Sequence, residues 1–256
     1  MLLIVTRPAA QAAAWVAELQ ALGCAAQALP LIEIAPLSDP EPVRAAWRRL
    51  DGYALVMFVS ANAVQQFHAL APAGAVWPPD LRAGSTGPGT SAALRAAGVA
   101  RVVEPAVDAP RYDSEALWAQ LSGEDWHGRS ALIVRGEDGR DWLAEALRAR
   151  GAAVDFVAAY RRLPPRPDGA AQALLARAQA EPTAHLWLFS SSEAVAHLRR
   201  LAPGADWSHS RALASHPRIA EAARGAGFGQ VLVGAVSAAT VAEAAAAWPS
   251  VQSHGL

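Results

Sequence analysis

Residues 54–64 read Ala-Leu-Val-Met-Phe-Val-Ser-Ala-Asn-Ala-Val, and residues 185–195 read His-Leu-Trp-Leu-Phe-Ser-Ser-Ser-Glu-Ala-Val. Aligned without gaps, Phe58 matches Phe189, Ser60 matches Ser191 and Val64 matches Val195. Each stretch is an apolar run of strand length that stops at small polar residues able to cap a helix. A strand followed at once by a helix, written twice in one chain, points to an internally repeated α/β protein.

The repeat extends in both directions. Residues 2–36 resemble residues 131–164 with one gap: Val5 matches Val134, Leu19 matches Leu147, Gly23 matches Gly151 and Pro36 matches Pro164. Each copy reads as strand, helix and strand, with Gly23 and Gly151 placed to end the helix. Residues 88–98 resemble residues 217–227, and each leads into another apolar run, 99–103 and 228–233. Strands alternating with helices imply parallel sheets.

Two partitions fit these matches. In the simple one, residues 1–125 and 130–256 are consecutive domains. In the crossed one, residues 40–162 form a domain inserted into another made of 1–36 and 168–256, with linkers at 37–39 and 163–167. The crossed partition needs two linkers, and two proline-rich spacers stand where they belong: Pro36, Pro40 and Pro42 in the first, Pro164, Pro165 and Pro167 in the second. Proline there favours extended connectors. The simple partition needs one linker near 122–129, a stretch without proline.

Composition narrows the chemistry. The chain has 256 residues, 53% hydrophobic and 18% charged, enough apolar material for two cores. Its formal net charge is -1, so no global basic field draws nucleic acid or anionic membrane. All 22 basic residues are arginine. The lack of lysine excludes Schiff-base chemistry, lysine-bound pyridoxal phosphate and the P-loop lysine. The single cysteine, Cys24, excludes an internal disulfide and a multi-cysteine metal site. The histidines at 68, 127, 185, 197, 209, 216 and 254 lack metal-ligand spacing. Gly84, Gly87 and Gly89 lack the dinucleotide-loop spacing, and Pro88 removes a backbone donor. No signal peptide and no apolar stretch long enough to span a membrane is visible, so a cytoplasmic protein is expected.

What remains is a set of strand ends opening onto helix starts. In parallel α/β sheets, ligands sit at the carboxyl ends of strands, where helix N-termini offer free N–H groups to anions. The candidates are Thr6-Arg7-Pro8, Ser60-Ala61-Asn62, residues 86–90, Arg135-Gly136-Glu137, Ser190-Ser191-Ser192 and Ser215-His216-Pro217-Arg218. Each singly reads as a helix cap. Together they read as a cleft that grips a polyanion with backbone amides and a few arginines.

The series Val-Thr-Arg-Pro (5–8), Phe-Val-Ser-Ala-Asn-Ala-Val (58–64), Gly-Pro-Gly-Thr (87–90), Tyr-Asp-Ser-Glu-Ala-Leu (112–117), Val-Arg-Gly (134–136) and Ala-Tyr-Arg-Arg (159–162) resembles the uroporphyrinogen-III synthase family. Residues 189–195 and 217–223 continue the likeness, which covers nearly the whole chain. The resemblance implies two flavodoxin-like α/β domains joined by a two-stranded linker, one inserted into the other. It also implies cyclisation of hydroxymethylbilane, a linear tetrapyrrole polycarboxylate, with loss of water and inversion of ring D through a spiro intermediate. No cofactor and no metal is implied, and a monomer acting on a small molecule is expected, with neither nucleic acid nor membrane as partner. Tyr160 matches a family tyrosine that faces the cleft and is the candidate acid; its bland alternative is a packed strand tyrosine. Thr90 matches a family hydroxyl residue, with an ordinary N-cap as alternative. Arg7, Ser60, Ala61, Asn62, Thr90, Arg135, Gly136, Ser190, Ser191, Ser192 and Arg218 are the substrate-binding candidates; Arg218 departs from a hydroxyl residue found in some members. A hinge-type binding protein, or a regulator without catalysis, has the same outline and stays open.

Overall fold

The computed structural model describes residues 1–109, 111–234 and 237–248. His254 and Pro249 therefore lie outside the described residues. The chain runs through β1 (Leu2–Val5), α1 (Ala9–Ala21), β2 (Ala26–Ala28), β3 (Glu33–Ala35), α2 (Glu41–Trp47), a 3₁₀ turn at Leu50–Gly52, β4 (Leu55–Phe58), α3 (Ala61–Ala69), β5 (Arg82–Ser85), α4 (Pro88–Ala96) and β6 (Val102–Val103). It continues through α5 (Ser114–Leu121), β7 (Ser130–Gly136), α6 (Trp142–Ala149), β8 (Ala153–Leu163), α7 (Gly169–Ala180), a 3₁₀ turn at Pro182–Ala184, β9 (His185–Phe189), α8 (Ser192–Leu201), β10 (Arg211–Ala214), α9 (Pro217–Gly225), β11 (Gln230–Val233) and α10 (Ala238–Ala247). Two compact units result: Met1–Glu33 with Leu163–Leu256, and Ile34–Arg162.

The first unit holds a five-stranded sheet in the order β2-β1-β9-β10-β11, parallel at every pairing. Counted within the unit this is 2-1-3-4-5, the flavodoxin-like order. The second unit holds a six-stranded sheet in the order β3-β8-β7-β4-β5-β6. Its strands β8-β7-β4-β5-β6 repeat the 2-1-3-4-5 order if β7 is counted first, again parallel throughout. The second unit is thus the same plan entered by the chain at its third strand. β7 and β8 stand for β1 and β2, and β4, β5 and β6 stand for β9, β10 and β11, as the internal matches require. β3 is the addition, lying along β8, where the Arg161 Nε donates to the Pro36 carbonyl at 3.1 Å.

Burial explains why these segments are strands. β4, β9 and β10 are buried at every residue, as central parallel strands covered on both faces must be. The edge strands β2 and β11 each bury one residue. In the second unit, Val56 and Phe58 enter one core cluster while Leu55 and Met57 enter the cluster on the opposite face, the two-residue period of a pleated strand. Each such fully buried side chain contributes roughly 1.5–3 kcal/mol.

Four helices end alike. After α1, α4, α6 and α9 comes a glycine of positive φ: Gly23 (79°), Gly98 (84°), Gly151 (83°) and Gly227 (97°). The glycine N–H donates three residues back, and the next N–H donates five residues back, as in Cys24 N to Leu19 O at 2.9 Å and Ala152 N to Leu147 O at 3.2 Å. This closing motif needs a left-handed residue, which glycine adopts without strain.

Candidate functional site

In each sheet the strand order reverses direction between two neighbours: β1 and β9 in the first unit, β7 and β4 in the second. A ligand site is expected outside the carboxyl ends of those strands. The sequence-derived residues fall on these ends and on the two helix starts beside them.

In the second unit, Ser60 extends as the N-cap of α3, its Oγ accepting from Ala63 N at 3.2 Å. Ala61 and Asn62 occupy the first turn, and Asn62 is buried. The same Ser60 Oγ lies 3.2 Å from the Tyr160 hydroxyl. Tyr160 is 2% exposed, a member of the core beside Val157 and Ala159. Strict alternation along β8 would send residue 160 to the other face. The register with β7 instead jumps from Arg135↔Ala158 to Gly136↔Tyr160, a bulge that turns the tyrosine back. The phenyl ring crosses Gly136, where a Cβ would sit 3.3 Å from Cε2 and Cζ. Gly136 is needed for this close approach. Ser60, Gly136 and Tyr160 are therefore brought together, and the core side of the tyrosine is packed as the bland alternative expected.

Thr90 is buried at the third position of α4, whose N-cap is Gly87 with no side-chain bond. The reading of Thr90 as an N-cap is thus corrected: the Gly87-Pro88 start places the cap three residues earlier. Thr86 Oγ1 donates to the Val59 carbonyl at 3.2 Å, tying this turn to the end of β4. Arg135 carries its guanidinium 4.2 Å over the Phe156 ring and pairs with Asp141. Its charge is already matched.

In the first unit, Thr6 is buried and donates its hydroxyl to the Leu188 carbonyl at 2.6 Å, joining β1 to β9 at the reversal point. Arg7 follows, its Cζ 4.2 Å from the Trp15 ring centroid. Burial pushes the guanidinium down to about 10, partly opposed by Glu18, so it remains a cation at neutral pH. Ser191 is the N-cap of α8, accepting from Glu193 N at 3.2 Å; Ser190 precedes it and Ser192 opens the helix. Arg218 is exposed on the first turn of α9, and its backbone N–H donates to His216 Nδ1 at 3.1 Å.

Capping accounts for Ser60, Ser191 and His216. It does not account for Thr6-Arg7-Pro8, where Pro8 caps α1 without a side-chain bond, for residues 86–90, or for Arg135–Glu137, which end β7 before α6 begins. α1, α3, α4 and α9 carry no acidic residue in their first turns. Their positive ends are uncompensated, which favours an anionic ligand. Asp141 and Trp15 are not among the residues the sequence singles out. An acid six residues after Arg135 and an aromatic two helical turns after Arg7 were the available signals.

A surface cavity of about 250 Å³ lies elsewhere, lined by Arg48, Arg49, Asp51, Gly52, Tyr53 and Ser130 at the amino ends of β4 and β7. Its arginines already pair with Glu41 and Asp155, and burial, with the 2.7 Å bond that Tyr53 donates to Asp155, pushes the phenol up to about 12. Among the described residues no three His, Cys, Asp or Glu side chains gather as metal ligands would.

The comparisons with known proteins agree with the geometry. The family model described as uroporphyrinogen-III synthase HemD matches residues 13–240. The chain is 31% identical over 245 residues to the uroporphyrinogen-III synthase of Escherichia coli, covering 91% of this chain and 94% of that one. It is 35% identical over 175 residues to that of Salmonella typhimurium, covering 68% and 70%. The fold is shared with the uroporphyrinogen-III synthetase of Helicobacter pylori (TM-score 0.57, 16% identity, 96% and 99% covered). A mutant uroporphyrinogen III synthase of Thermus thermophilus also shares it (TM-score 0.56, 19% identity, 94% and 96% covered). With a family model over most of its length and relatives above 30% identity, the chain belongs to the uroporphyrinogen-III synthase family.

Proposed function

We propose that the protein closes hydroxymethylbilane to uroporphyrinogen III in haem biosynthesis, losing water and inverting ring D. The observation that carries this reading is the family match over residues 13–240. The chemistry suits the sites described. The substrate bears eight carboxylates, which uncompensated helix starts and unpaired arginines favour. Ring D attacks through its substituted carbon, so the protein chiefly fixes geometry, with a weak acid near the departing hydroxyl.

In this reading Tyr160 is that acid, oriented by the 3.2 Å contact with Ser60. The phenol gives its proton as water leaves, and the proton released when the macrocycle finally closes restores it. Arg7, Arg218 and the uncompensated starts of α3 and α4 hold carboxylates, with Ser60, Ala61, Asn62 and Thr90 at those starts. Ser190, Ser191 and Ser192 at the start of α8 and Gly136 at the end of β7 line the site, and Arg135, already matched by Asp141, is not a carboxylate holder. The protein is read as a cytoplasmic monomer; no helix is long and apolar enough to cross a membrane among the described residues. Freshly made hydroxymethylbilane, with chromatography of the isomers, tests the proposal. Type III product above the enzyme-free control is expected, and type I alone at the control rate would reject it.

A further inference from the structure

We propose that Trp15 is a positioning residue: its indole face holds the Arg7 guanidinium as a preorganised seat for one carboxylate of the substrate. The inference deepens the functional reading above and rests on it.

Four observations carry it. The guanidinium lies 4.2 Å over the indole, a distance at which cation and ring attract. Among the described residues Arg7 makes no ion pair and no side-chain hydrogen bond, and Glu18 acts on it only through space. Trp15 is itself fixed, packed against the core of Leu3, Ala12 and Leu19. Arg7 stands just beyond the end of β1, where the strand order reverses. A partly desolvated fork of five N–H donors with no acceptor is costly unless one arrives. With the indole on one side and no hydrogen-bond partner for its N–H groups among the described residues, the fork is left to take a carboxylate, which it can hold with two parallel bonds. Arg135 provides the contrast. It too lies 4.2 Å over an aromatic ring, Phe156, but Asp141 already pairs with it.

The test is a double-mutant cycle on the full chain, reading KM and kcat for hydroxymethylbilane and, by calorimetry, the Kd of uroporphyrin III, an unreactive octacarboxylate. Arg7→Met is expected to raise KM and Kd about tenfold or more, the scale of one charge-assisted hydrogen bond, with kcat within about twofold. Trp15→Leu should raise both about two- to fivefold, and Trp15→Phe should recover part of the loss. In the Arg7→Met background, Trp15→Leu should change nothing further, which a role in packing alone would not produce. Should Trp15→Leu fail to fold, Trp15→Phe carries the same cycle. Unchanged KM and Kd in Arg7→Met would overturn the seat. A full additive loss in the double variant would overturn the positioning role while leaving Arg7 as a ligand. Type I product alone from the unaltered chain, with uroporphyrin III still bound through Arg7, would remove the activity and leave the seat.

Discussion

The two units share one sheet plan and differ in their ion pairing. Both order their strands 2-1-3-4-5, both end two helices with a positive-φ glycine, and both bury a matched phenylalanine, Phe58 and Phe189, in an aromatic cluster. Phe58 meets Phe67, His68 and Trp77; Phe189 meets Trp187 and Phe228. Yet eight ion pairs lie within the second unit, from Arg48–Glu41 to Arg140–Glu115. In the first, Arg7, Arg199, Arg200, Arg211 and Arg218 have no carboxylate partner among the described residues. Composition does not explain this. The first unit has eight arginines and eight acidic residues, the second 14 and 15. Exposed pairs are worth only about 0–1 kcal/mol each, so the contrast bears little on stability. It bears on which arginines remain open to an anion.

The harshest way to break the comparison is to separate the units. An excised 40–162 fragment is expected to fold cooperatively by circular dichroism, because it retains β4 to β8 and both core clusters of that sheet. A 1–125 fragment takes β1 without its neighbour β9 and β4 without its neighbour β7, and is expected to be unfolded. The reverse result would restore the simple two-domain partition.

Next come the matched phenylalanines. Phe58→Ala and Phe189→Ala should each cost about 3–5 kcal/mol in denaturant unfolding, being 0% and 1% exposed. A loss below about 1 kcal/mol in one of them would show that the shared plan hides unequal cores.

For the reaction, Tyr160→Phe should lower kcat by up to about 10²-fold, and more than Thr90→Ala does, since only the former removes the acid. Unchanged turnover in Tyr160→Phe assigns the tyrosine to packing alone.

The smallest effects are pH effects, and both groups that carry them lie in the second unit. Arg82 grips Glu124 through two bonds of 2.7 Å and holds its carboxyl below the usual range. Its stabilisation is complete above the unfolded carboxyl value and is lost as pH falls below it. Glu124→Gln, costing about 1 kcal/mol at neutral pH, should flatten that acid limb. His68 is pushed down by burial, with Nδ1 2.9 Å from the Val64 carbonyl and Nε2 buried without a partner. The unfolded chain therefore takes up the proton first, and stability declines as pH drops below about 6.5. His68→Leu should remove that slope in thermal melts between pH 7 and 5; an unchanged slope would assign it to other groups.

Much of this could be read without coordinates. The matched stretches 54–64 and 185–195 do become β4–α3 and β9–α8, and Gly23 and Gly151 do end helices, because apolar period and glycine φ are local properties. The position of β3 along β8 was not legible, since three residues of edge strand carry little pattern. That Thr90 is not the N-cap, the alternative to its binding role, was also not legible, because proline at the first helical position moves the start back to Gly87. The open state of Arg7 against the filled state of Arg135 could not be read either.

Sequence by itself determined the strand–helix alternation, the internal repeat, the lysine-free chemistry and the family, all of which depend on residue type and order. Only the tertiary structure decided that the second unit is a permuted copy, that a bulge turns Tyr160 towards Ser60, and that Arg7 rests on an indole with no ion pair among the described residues. Those are pairings between residues far apart in register or differently presented by a turn. A few ångströms decide them, and no local pattern records so small a distance.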